Sequence, residues 1–487
     1  MSIKRAALAP FLFLAACPDR SISEVHPQQQ GAVIKHIPVS ADIDVLFVID
    51  NSASTIDKQT IFAQNFPRFV QALDAFPTGR PNLHMAVVDT TVDIATQGYA
   101  TGSTTGCPSP NPADNGLLQN TARVPGCAAP TGRFITDIKA SNGTRTTNYS
   151  GTLDQALSCI AQVGASGCGF EAPLEAMKRA LDGSRVENSG FIRNGAYLAV
   201  VFLTDEDDAS VKDSAVFSLA DAQVGGHNDY RVQPLFAYAC DQPLSSSQPG
   251  TYTRCTPRLD SYLRDPSYYS QFLSSVKDPA QIVVAAIAGP PPGLSTNDSP
   301  PQTATSADIG IGPLALNGNT QPLALLPSCS ATINGNPAIG RPAVRLGSFI
   351  GDFGDRGRFY TICQGDYSAA LTDIGKTLFN AISPCLEGDV DPADADPNNP
   401  GTQLQCTVTD VITSDTSGQS STPMPPCQMQ DPTTPMPGGA RPCWWIDKNT
   451  TSCPSPDTGF EMNFVRAQPP APGTRVDVEC AVASPVM

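Results

Sequence analysis

The pattern of apolar residues predicts buried strands and amphipathic helices along the main part of the chain. The run Ile43–Ile49 is mostly apolar and rich in β-branched residues, which is typical of a strand covered on both faces. Runs at 85–88, 197–203 and 282–288 predict three more such strands. Apolar residues from Phe62 to Phe76 recur at three- and four-residue spacing, which predicts a helix after the first strand.

The order of these elements predicts the fold class. Two further amphipathic patterns, at 174–181 and 371–382, predict helices that alternate with the strands. Such alternation is typical of an α/β fold. We therefore expect residues 40–384 to form a doubly wound, mostly parallel, Rossmann-like sheet that is interrupted by long polar insertions.

The pattern changes after residue 384. Residues 385–402 are acidic and rich in proline, which predicts an extended linker. Its aspartates at 389–396 lack the glycine of an EF-hand loop, so a solvated linker is favoured over a calcium site. Short runs of strand composition then follow between turn residues, together with several cysteines. We predict a small, disulfide-braced β module at 403–487.

The first residues predict export. A basic pair at 4–5 precedes an apolar stretch too short to span a bilayer, which ends in the sequence Leu-Ala-Ala-Cys at 14–17. This ending resembles the lipobox of bacterial lipoproteins. The resemblance implies a signal peptide at 1–16, a lipid on Cys17 and a tether at 17–39. The protein would then be lipid-anchored to a bacterial membrane, in the outer membrane and periplasm or at the cell surface. The alternative is an ordinary export signal in which Cys17 is incidental.

Cysteine usage agrees with export. Fourteen of the fifteen cysteines remain when Cys17 is set aside, an even number that suggests up to seven disulfides. Spacing leaves the connectivity open. The short-range candidate pairs are Cys107–Cys127, Cys159–Cys168, Cys240–Cys255, Cys329–Cys363 and Cys443–Cys453. A structural zinc site is disfavoured, because the chain has no C-x-x-C pair and only four histidines.

The net charge limits the classes of ligand. At −16, the chain would repel nucleic acid and anionic lipid headgroups, and it would favour metal cations and basic partners. We therefore expect no nucleic-acid ligand.

Oxygen-bearing side chains follow two of the predicted strands directly. The first strand is followed by the D-x-S-x-S sequence of Asp50, Ser52 and Ser54, and the strand at 197–203 is followed by Thr204 and Asp205. The carboxyl ends of parallel strands meet at one edge of a sheet, where ligands of open α/β folds bind. Carboxylates and hydroxyls on tight turns suit a hard divalent cation. The alternative for D-x-S-x-S alone is a helix N-cap. Two more acids, at 207–208, are interpreted as a solvated acidic rim.

These motifs resemble a von Willebrand factor A domain with its metal-ion-dependent adhesion site. The resemblance is carried by the segments FVIDNSAS and VVFLTDEDD and covers roughly residues 40–384. It implies one bound divalent cation, Mg²⁺ or else Mn²⁺ or Ca²⁺. It also implies that Ser52 and Ser54 bind the cation directly, that Asp50 acts mainly through water, and that Asp205 supports the site.

One ligand of that family is missing. The family places a metal-binding threonine before a helix between the two motifs, whereas residues 167–174 contain none. Glu171 is the nearest oxygen donor, and its charge would weaken the capture of an acidic partner. It could instead cap its helix or lie in solvent. The cation could also be held by fewer protein ligands plus water, or by Thr90 and Thr91.

The function expected from this resemblance is binding rather than catalysis. In the family, an Asp or Glu side chain of a protein partner completes the coordination of the metal, so the chain is expected to be a metal-dependent binding or adhesion protein of the cell envelope. A structural envelope lipoprotein with a degenerate metal site is the alternative. A secreted hydrolase is disfavoured, because G-x-S-x-G and H-E-x-x-H motifs are absent and histidines are few.

Overall fold

The structure is a computed structural model of the 487-residue chain. It describes residues 32–38, 42–76, 79–92, 114–140, 142–213, 237–245, 248–291, 307–316, 319–333, 335–386, 390–414, 418–449, 453, 459–468 and 474–482. The predicted signal peptide and the predicted lipidation site Cys17 lie outside these residues.

Six α-helices and twenty-one strands are formed by the described residues. The helices are α1 (Ile56–Asp74), α2 (Leu153–Ala161), α3 (Pro173–Leu181), α4 (Pro266–Val276), α5 (Val344–Gly351) and α6 (Ser368–Ile382). The strands are β1 (Ala32–Pro38), β2 (Asp42–Ile49), β3 (Asn82–Asp89), β4 (Ile135–Lys139), β5 (Arg145–Thr147), β6 (Tyr197–Leu203), β7 (Tyr238–Ala239), β8 (Gly250–Pro257), β9 (Ile282–Ala288), β10 (Ala307–Leu316), β11 (Asn319–Leu325), β12 (Cys329–Ile333), β13 (Asn336–Gly340), β14 (Gly357–Thr361), β15 (Cys406–Ser414), β16 (Gly418–Pro423), β17 (Met429–Asp431), β18 (Thr434–Pro435), β19 (Cys443–Lys448), β20 (Phe460–Val465) and β21 (Thr474–Ala481).

The largest sheet has seven strands in the order β14-β9-β6-β2-β3-β4-β5. The strands β14, β9, β6, β2 and β3 run parallel to one another, whereas β4 pairs antiparallel with β3 and with β5. The central strands β2, β6 and β9 are buried along nearly their whole length, which explains their unbroken apolar sequences.

The predicted fold class is wrong for the chain. Strands outweigh helices, and of the fifteen strand pairs among the described residues four are parallel and eleven antiparallel. The other five sheets are antiparallel, so the chain is not a doubly wound parallel α/β fold. The prediction failed because, between residues 40 and 384, it relied on continuous apolar runs. The half-exposed strands of antiparallel sheets carry weaker patterns, and several of them lie in segments that were interpreted as polar insertions.

Apolar layers cover both faces of the seven-stranded sheet. On one face, Phe47 of β2 makes edge-to-face ring contacts with Phe62, Phe66 and Phe69 of α1, and α2 and α6 complete that layer. Side chains of α3, α4 and α5 form the layer on the opposite face. Because α1 is packed along the sheet, the loop between β2 and α1 is held from both ends.

Strand β1 belongs to the C-terminal part of the fold. It pairs antiparallel with β21 in a four-stranded sheet of order β1-β21-β15-β16, and its Ile37 is buried in the core of that module beside Trp444. The prediction of a tether at 17–39 is therefore wrong for residues 32–38. No local pattern predicts β1, because its pairing partner β21 lies at the far end of the chain.

Six disulfides are present among the described residues. The candidate pairs Cys240–Cys255 and Cys329–Cys363 are confirmed. The other three candidate pairs are wrong, because the bonds formed instead are Cys127–Cys159, Cys427–Cys443 and Cys385–Cys453, with Cys406–Cys480 in addition. Cys168 is also disulfide-bonded, and Cys107 lies outside the described residues. None of the described helices combines the length and the apolar character needed to cross a bilayer.

Candidate metal site

The parallel pairing of β2 and β6 places the two predicted motifs at one edge of the sheet. Ile49 and Leu203 end the two strands in register, and the backbone N–H of Asp50 donates to the carbonyl of Leu203 at 2.9 Å. Asp50 and Thr204 therefore leave the sheet side by side. A short 3₁₀ turn at Ala53–Thr55 then leads into α1.

The side chain of Asp50 is completely buried at this edge. One carboxylate oxygen, Oδ1, accepts from the backbone N–H of Ser52 at 2.8 Å, and Oδ2 accepts from the hydroxyl of Thr204 at 2.8 Å. Burial, and after it the negative charge of Asp205, raises the pKa of Asp50 to about 6, against the lowering effect of these hydrogen bonds. Ionised Asp50 is therefore costly unless a cation is near.

The two serines of the motif converge with Asp205. Their hydroxyl oxygens lie 3.0 Å apart, and the hydroxyl of Ser54 donates to Oδ1 of Asp205 at 3.1 Å. With its proton directed to Asp205, the Ser54 oxygen accepts the hydroxyl proton of Ser52 and keeps one lone pair for another partner. The structure thus brings Asp50, Ser52, Ser54 and Asp205 into one hydrogen-bonded group, in which D-x-S-x-S does not act as a side-chain cap of α1.

Glu171 lies in the same group and not in solvent. Its side chain is 1% exposed, and Oε2 accepts from the hydroxyl of Thr90 at 2.5 Å. The other oxygen, Oε1, is buried without a hydrogen-bond partner. Burial raises the pKa of Glu171 well above its ordinary value, and the charge of Asp50 is the next cause. A side-chain interaction with Asp50 also raises the pKa of Glu171.

Backbone hydrogen bonds fix the loop that carries Glu171. The carbonyl of Glu171 accepts from Ala209, and the N–H of Ala172 donates to Thr90. The helix α3 that follows is capped by other residues, because the carboxylate of Asp208 and the hydroxyl of Ser210 accept from its first amides. The side chain of Glu171 therefore does not cap α3.

The two alternative ligands Thr90 and Thr91 have different neighbours. The hydroxyl of Thr90 is committed to Glu171, and that of Thr91 donates to the side-chain carbonyl of Asn51 at 2.8 Å. Asn51 also accepts through its backbone carbonyl from Gly167, so the D-x-S-x-S loop is tied to the segment before Glu171. The hydroxyl of Thr90 therefore orients the carboxyl group of Glu171.

Lys58 is the site residue that the sequence analysis missed. Its ammonium group donates to Oδ2 of Asp205 at 2.7 Å and to the backbone carbonyl of Ser54 at 2.9 Å, and its side chain is 3% exposed. The spacing gives the available signal, because Lys58 follows Ser54 by four residues, about one helical turn. Gln59 was also missed, and its side-chain amide joins the carbonyl of Asp50 to that of Gly164.

The acids at 207–208 are not a solvated rim. Both are buried, Asp207 accepts from the backbone N–H groups of Arg345 and Leu346, and Asp208 forms an ion pair with the fully buried guanidinium of Arg345. The interpretation as exposed charge was wrong because the pairing cation lies far along the chain. These acids hold the loop after β6 against α5.

The group offers oxygen ligands of two kinds. Within the part of the chain that the structure describes, no three His, Cys, Asp or Glu side chains lie close enough together to hold one metal ion between them. The ligand oxygens at this site therefore include the hydroxyls of Ser52 and Ser54 as well as acids. The carboxylates at 50, 171 and 205 and the ammonium of Lys58, which contacts Asp205, give the group a net charge of minus two when all are ionised. Such a buried group favours the binding of a divalent cation.

Comparisons with known proteins give weak similarities. No protein-family model and no curated protein matches the chain. The chain is similar to the solved structure of proximal thread matrix protein 1 from the mussel byssus, with 11% identity and a TM-score of 0.26 over 72% of this chain and 48% of that one. The human COPII-coat protein Sec24c is 9% identical to the chain, with a TM-score of 0.29 over 93% of this chain and 46% of that one. The pilus adhesin RrgA from Streptococcus pneumoniae is 11% identical, with a TM-score of 0.20 over 93% of this chain and 57% of that one. The chain thus spans about half the length of these proteins, and at these TM-scores the similarity supports no further conclusion.

Proposed function

We propose that this chain binds one divalent cation, Mg²⁺ or else Mn²⁺ or Ca²⁺, at the edge formed by β2 and β6, and that it uses the cation to bind a protein partner. The residues of the site are Asp50, Ser52, Ser54, Glu171 and Asp205. The arrangement resembles the metal-ion-dependent adhesion site of von Willebrand factor A domains. The proposed function is binding and not catalysis.

One observation carries the proposal. Asp50 and Glu171 are both buried, their carboxyl groups lie near each other, and Oε1 of Glu171 has no hydrogen-bond partner. A pair of buried like charges without a compensating cation is strongly unfavourable. Ser52 and Ser54 add neutral oxygens beside this pair, which is the type of ligand that Mg²⁺, Mn²⁺ and Ca²⁺ prefer.

The five residues would have different roles in binding the cation. Ser52, Ser54 and the free oxygen of Glu171 would serve as direct ligands. Asp50, whose two oxygens already accept from Ser52 and Thr204, would act mainly through water. Asp205 orients the hydroxyl of Ser54 and adds negative charge. A bound cation would supply an electropositive coordination position for a carboxylate oxygen.

The partner on this proposal is a protein that offers an Asp or Glu side chain. Ser54, Ala53 and Ile56 are exposed beside the buried acids, so the hydroxyl side of the site opens to solvent. The lipid on Cys17 would hold the protein at a bacterial membrane in the cell envelope. Recognition would then occur at that membrane and would be abolished by a chelator.

Cation uptake by the double variant Ser52→Ala/Ser54→Ala tests the proposal. The change removes two neutral oxygens at partly exposed or marginally buried positions, so the fold should be retained by circular dichroism. Equilibrium dialysis with Mn²⁺ should show one cation per wild-type chain and at least roughly tenfold weaker uptake by the variant. Equal uptake by both proteins, or no uptake by the wild type, would contradict the proposal. The second outcome would favour a structural protein with a degenerate site.

A further inference from the structure

A buried lysine lies next to the proposed cation site. The ammonium group of Lys58 contacts two atoms of the site residues, Oδ2 of Asp205 and the carbonyl oxygen of Ser54. The side chains of Lys58 and Asp205 are 3% and 2% exposed. A lysine so deeply buried is unusual and requires a compensating charge, which Asp205 supplies.

We propose that Lys58 is a specificity-determining residue that sets the charge of the site, so that it accepts a divalent rather than a trivalent cation. This inference rests on the proposed function. Without Lys58, the carboxylates at 50, 171 and 205 would carry three negative charges. With Lys58 they carry a net charge of minus two, which one divalent cation neutralises.

A second consequence concerns the position of Asp205. The hydrogen bond from Lys58 occupies Oδ2, and the hydroxyl of Ser54 occupies Oδ1. Both oxygens therefore have partners within the protein, which favours a supporting role for Asp205 over direct coordination of the cation. A neutral site also does not repel the carboxylate of a partner, whereas a site with an excess negative charge would.

Other charges near Asp205 do not replace Lys58. The guanidinium of Arg341 is largely buried close to Asp205, but it forms an ion pair with Glu206 on the same loop. The two side chains neutralise each other. The charge balance of the three site carboxylates therefore depends on Lys58.

The affinity ratio of Tb³⁺ to Ca²⁺ tests this inference, because the two ions are similar in size and differ in charge. Calorimetric titration of the full chain should show that Lys58→Met raises this ratio by roughly tenfold or more, since the additional net negative charge attracts a trivalent ion more strongly than a divalent one. The double variant Lys58→Met/Asp205→Asn restores the net charge of minus two and should return the ratio to the wild-type value. Lys178→Met, which removes a more exposed ion pair on α3, should leave the ratio unchanged.

Asp205→Asn provides a test that does not require Lys58→Met to fold. It leaves Lys58 in place and lowers the net charge to minus one, so the ratio should fall by roughly tenfold or more. If the wild-type chain binds Ca²⁺ and the ratio is unchanged in Lys58→Met, Lys58 has only a structural role. If the ratio is unchanged in Asp205→Asn, the net charge does not set the selectivity of the site. Either result shows that the inference is wrong. If the wild-type chain binds neither ion, the proposed function itself fails.

Discussion

The buried carboxyl group of Glu171 senses the negative charge of the buried Asp50, which raises the pKa of Glu171, although the two residues are on different loops. Neither group offers a donor to the other when both are ionised, which leaves Oε1 of Glu171 without a partner. The pair is stable only with a proton or a cation between the two groups or beside them. This relationship gives measurable consequences for cation affinity and stability.

Substitution Glu171→Gln should separate stability from cation binding. It replaces a buried acid, whose raised pKa costs stability at neutral pH, by an amide that adds a donor, so the metal-free protein should gain about 1–3 kcal/mol in unfolding free energy. Cation affinity should fall by roughly tenfold or more, because a negatively charged oxygen is lost. Chemical denaturation with a chelator and calorimetry with Mn²⁺ measure the two effects.

The exposed Glu187 provides the matched control for this substitution. Glu187→Gln should change neither quantity. A loss of stability in Glu171→Gln together with unchanged Mn²⁺ affinity would show that Glu171 is an ordinary structural acid.

Cation binding should depend on pH through Asp50. Its pKa in the metal-free protein is raised to about 6, chiefly by burial, so Asp50 carries a proton below that pH. A cation that requires the ionised group must displace this proton, so its affinity should rise with pH through about 6. Calorimetry in buffers of different ionisation enthalpy should detect more proton release at pH 5 than at pH 8. Equal proton release at pH 5 and pH 8 would show that Asp50 does not lose a proton when the cation binds.

Stability should also depend on pH through Asp44, at the opposite end of β2. Burial raises its pKa to about 6 from 3.8, although Arg193 donates to both of its oxygens. The folded state thus binds more protons than the unfolded state between these values. The unfolding free energy should therefore fall as pH rises from about 4 to about 6, by roughly 2–3 kcal/mol from this group.

Asp44→Asn checks this contribution, because the amide does not titrate. The difference in unfolding free energy between wild type and variant, measured by denaturation at pH 4 and pH 7, should show the fall. A difference that is independent of pH would mean that Asp44 keeps its ordinary pKa in the fold.

Gly167 is required by the close approach of the D-x-S-x-S loop. A β-carbon at this position would lie 2.1 Å from the side-chain oxygen of Asn51 and 2.8 Å from its backbone oxygen. Gly167→Ala should therefore displace the loop beside Asp50 and weaken Mn²⁺ binding by roughly tenfold. Gly365→Ala, where no atom lies within 4 Å of the added carbon, is the control. Equal Mn²⁺ affinities for the two variants would show that the loop adapts without effect on the site.

The sequence predicted the central strands, three of the helices and the sheet edge at which Asp50 and Asp205 meet, but not the antiparallel sheets between residues 40 and 384. Asp50 and Asp205 could be related because each follows a continuous apolar run, and such runs end at one sheet edge. Lys58 was not identified, since a lysine in the first turn of a helix is usually exposed and its burial depends on Asp205. Strand β1 and the pairing of Asp208 with Arg345 depend on partners far along the chain. Local patterns contain no information on such contacts.

Anomalous diffraction from crystals of the protein soaked in Mn²⁺ tests the central claim most directly. The proposal predicts one strong peak at the edge of β2 and β6, about 2.0–2.6 Å from the hydroxyl oxygens of Ser52 and Ser54 and from a carboxylate oxygen of Glu171. A peak elsewhere, or no peak at a Mn²⁺ concentration well above that of the protein, would contradict it.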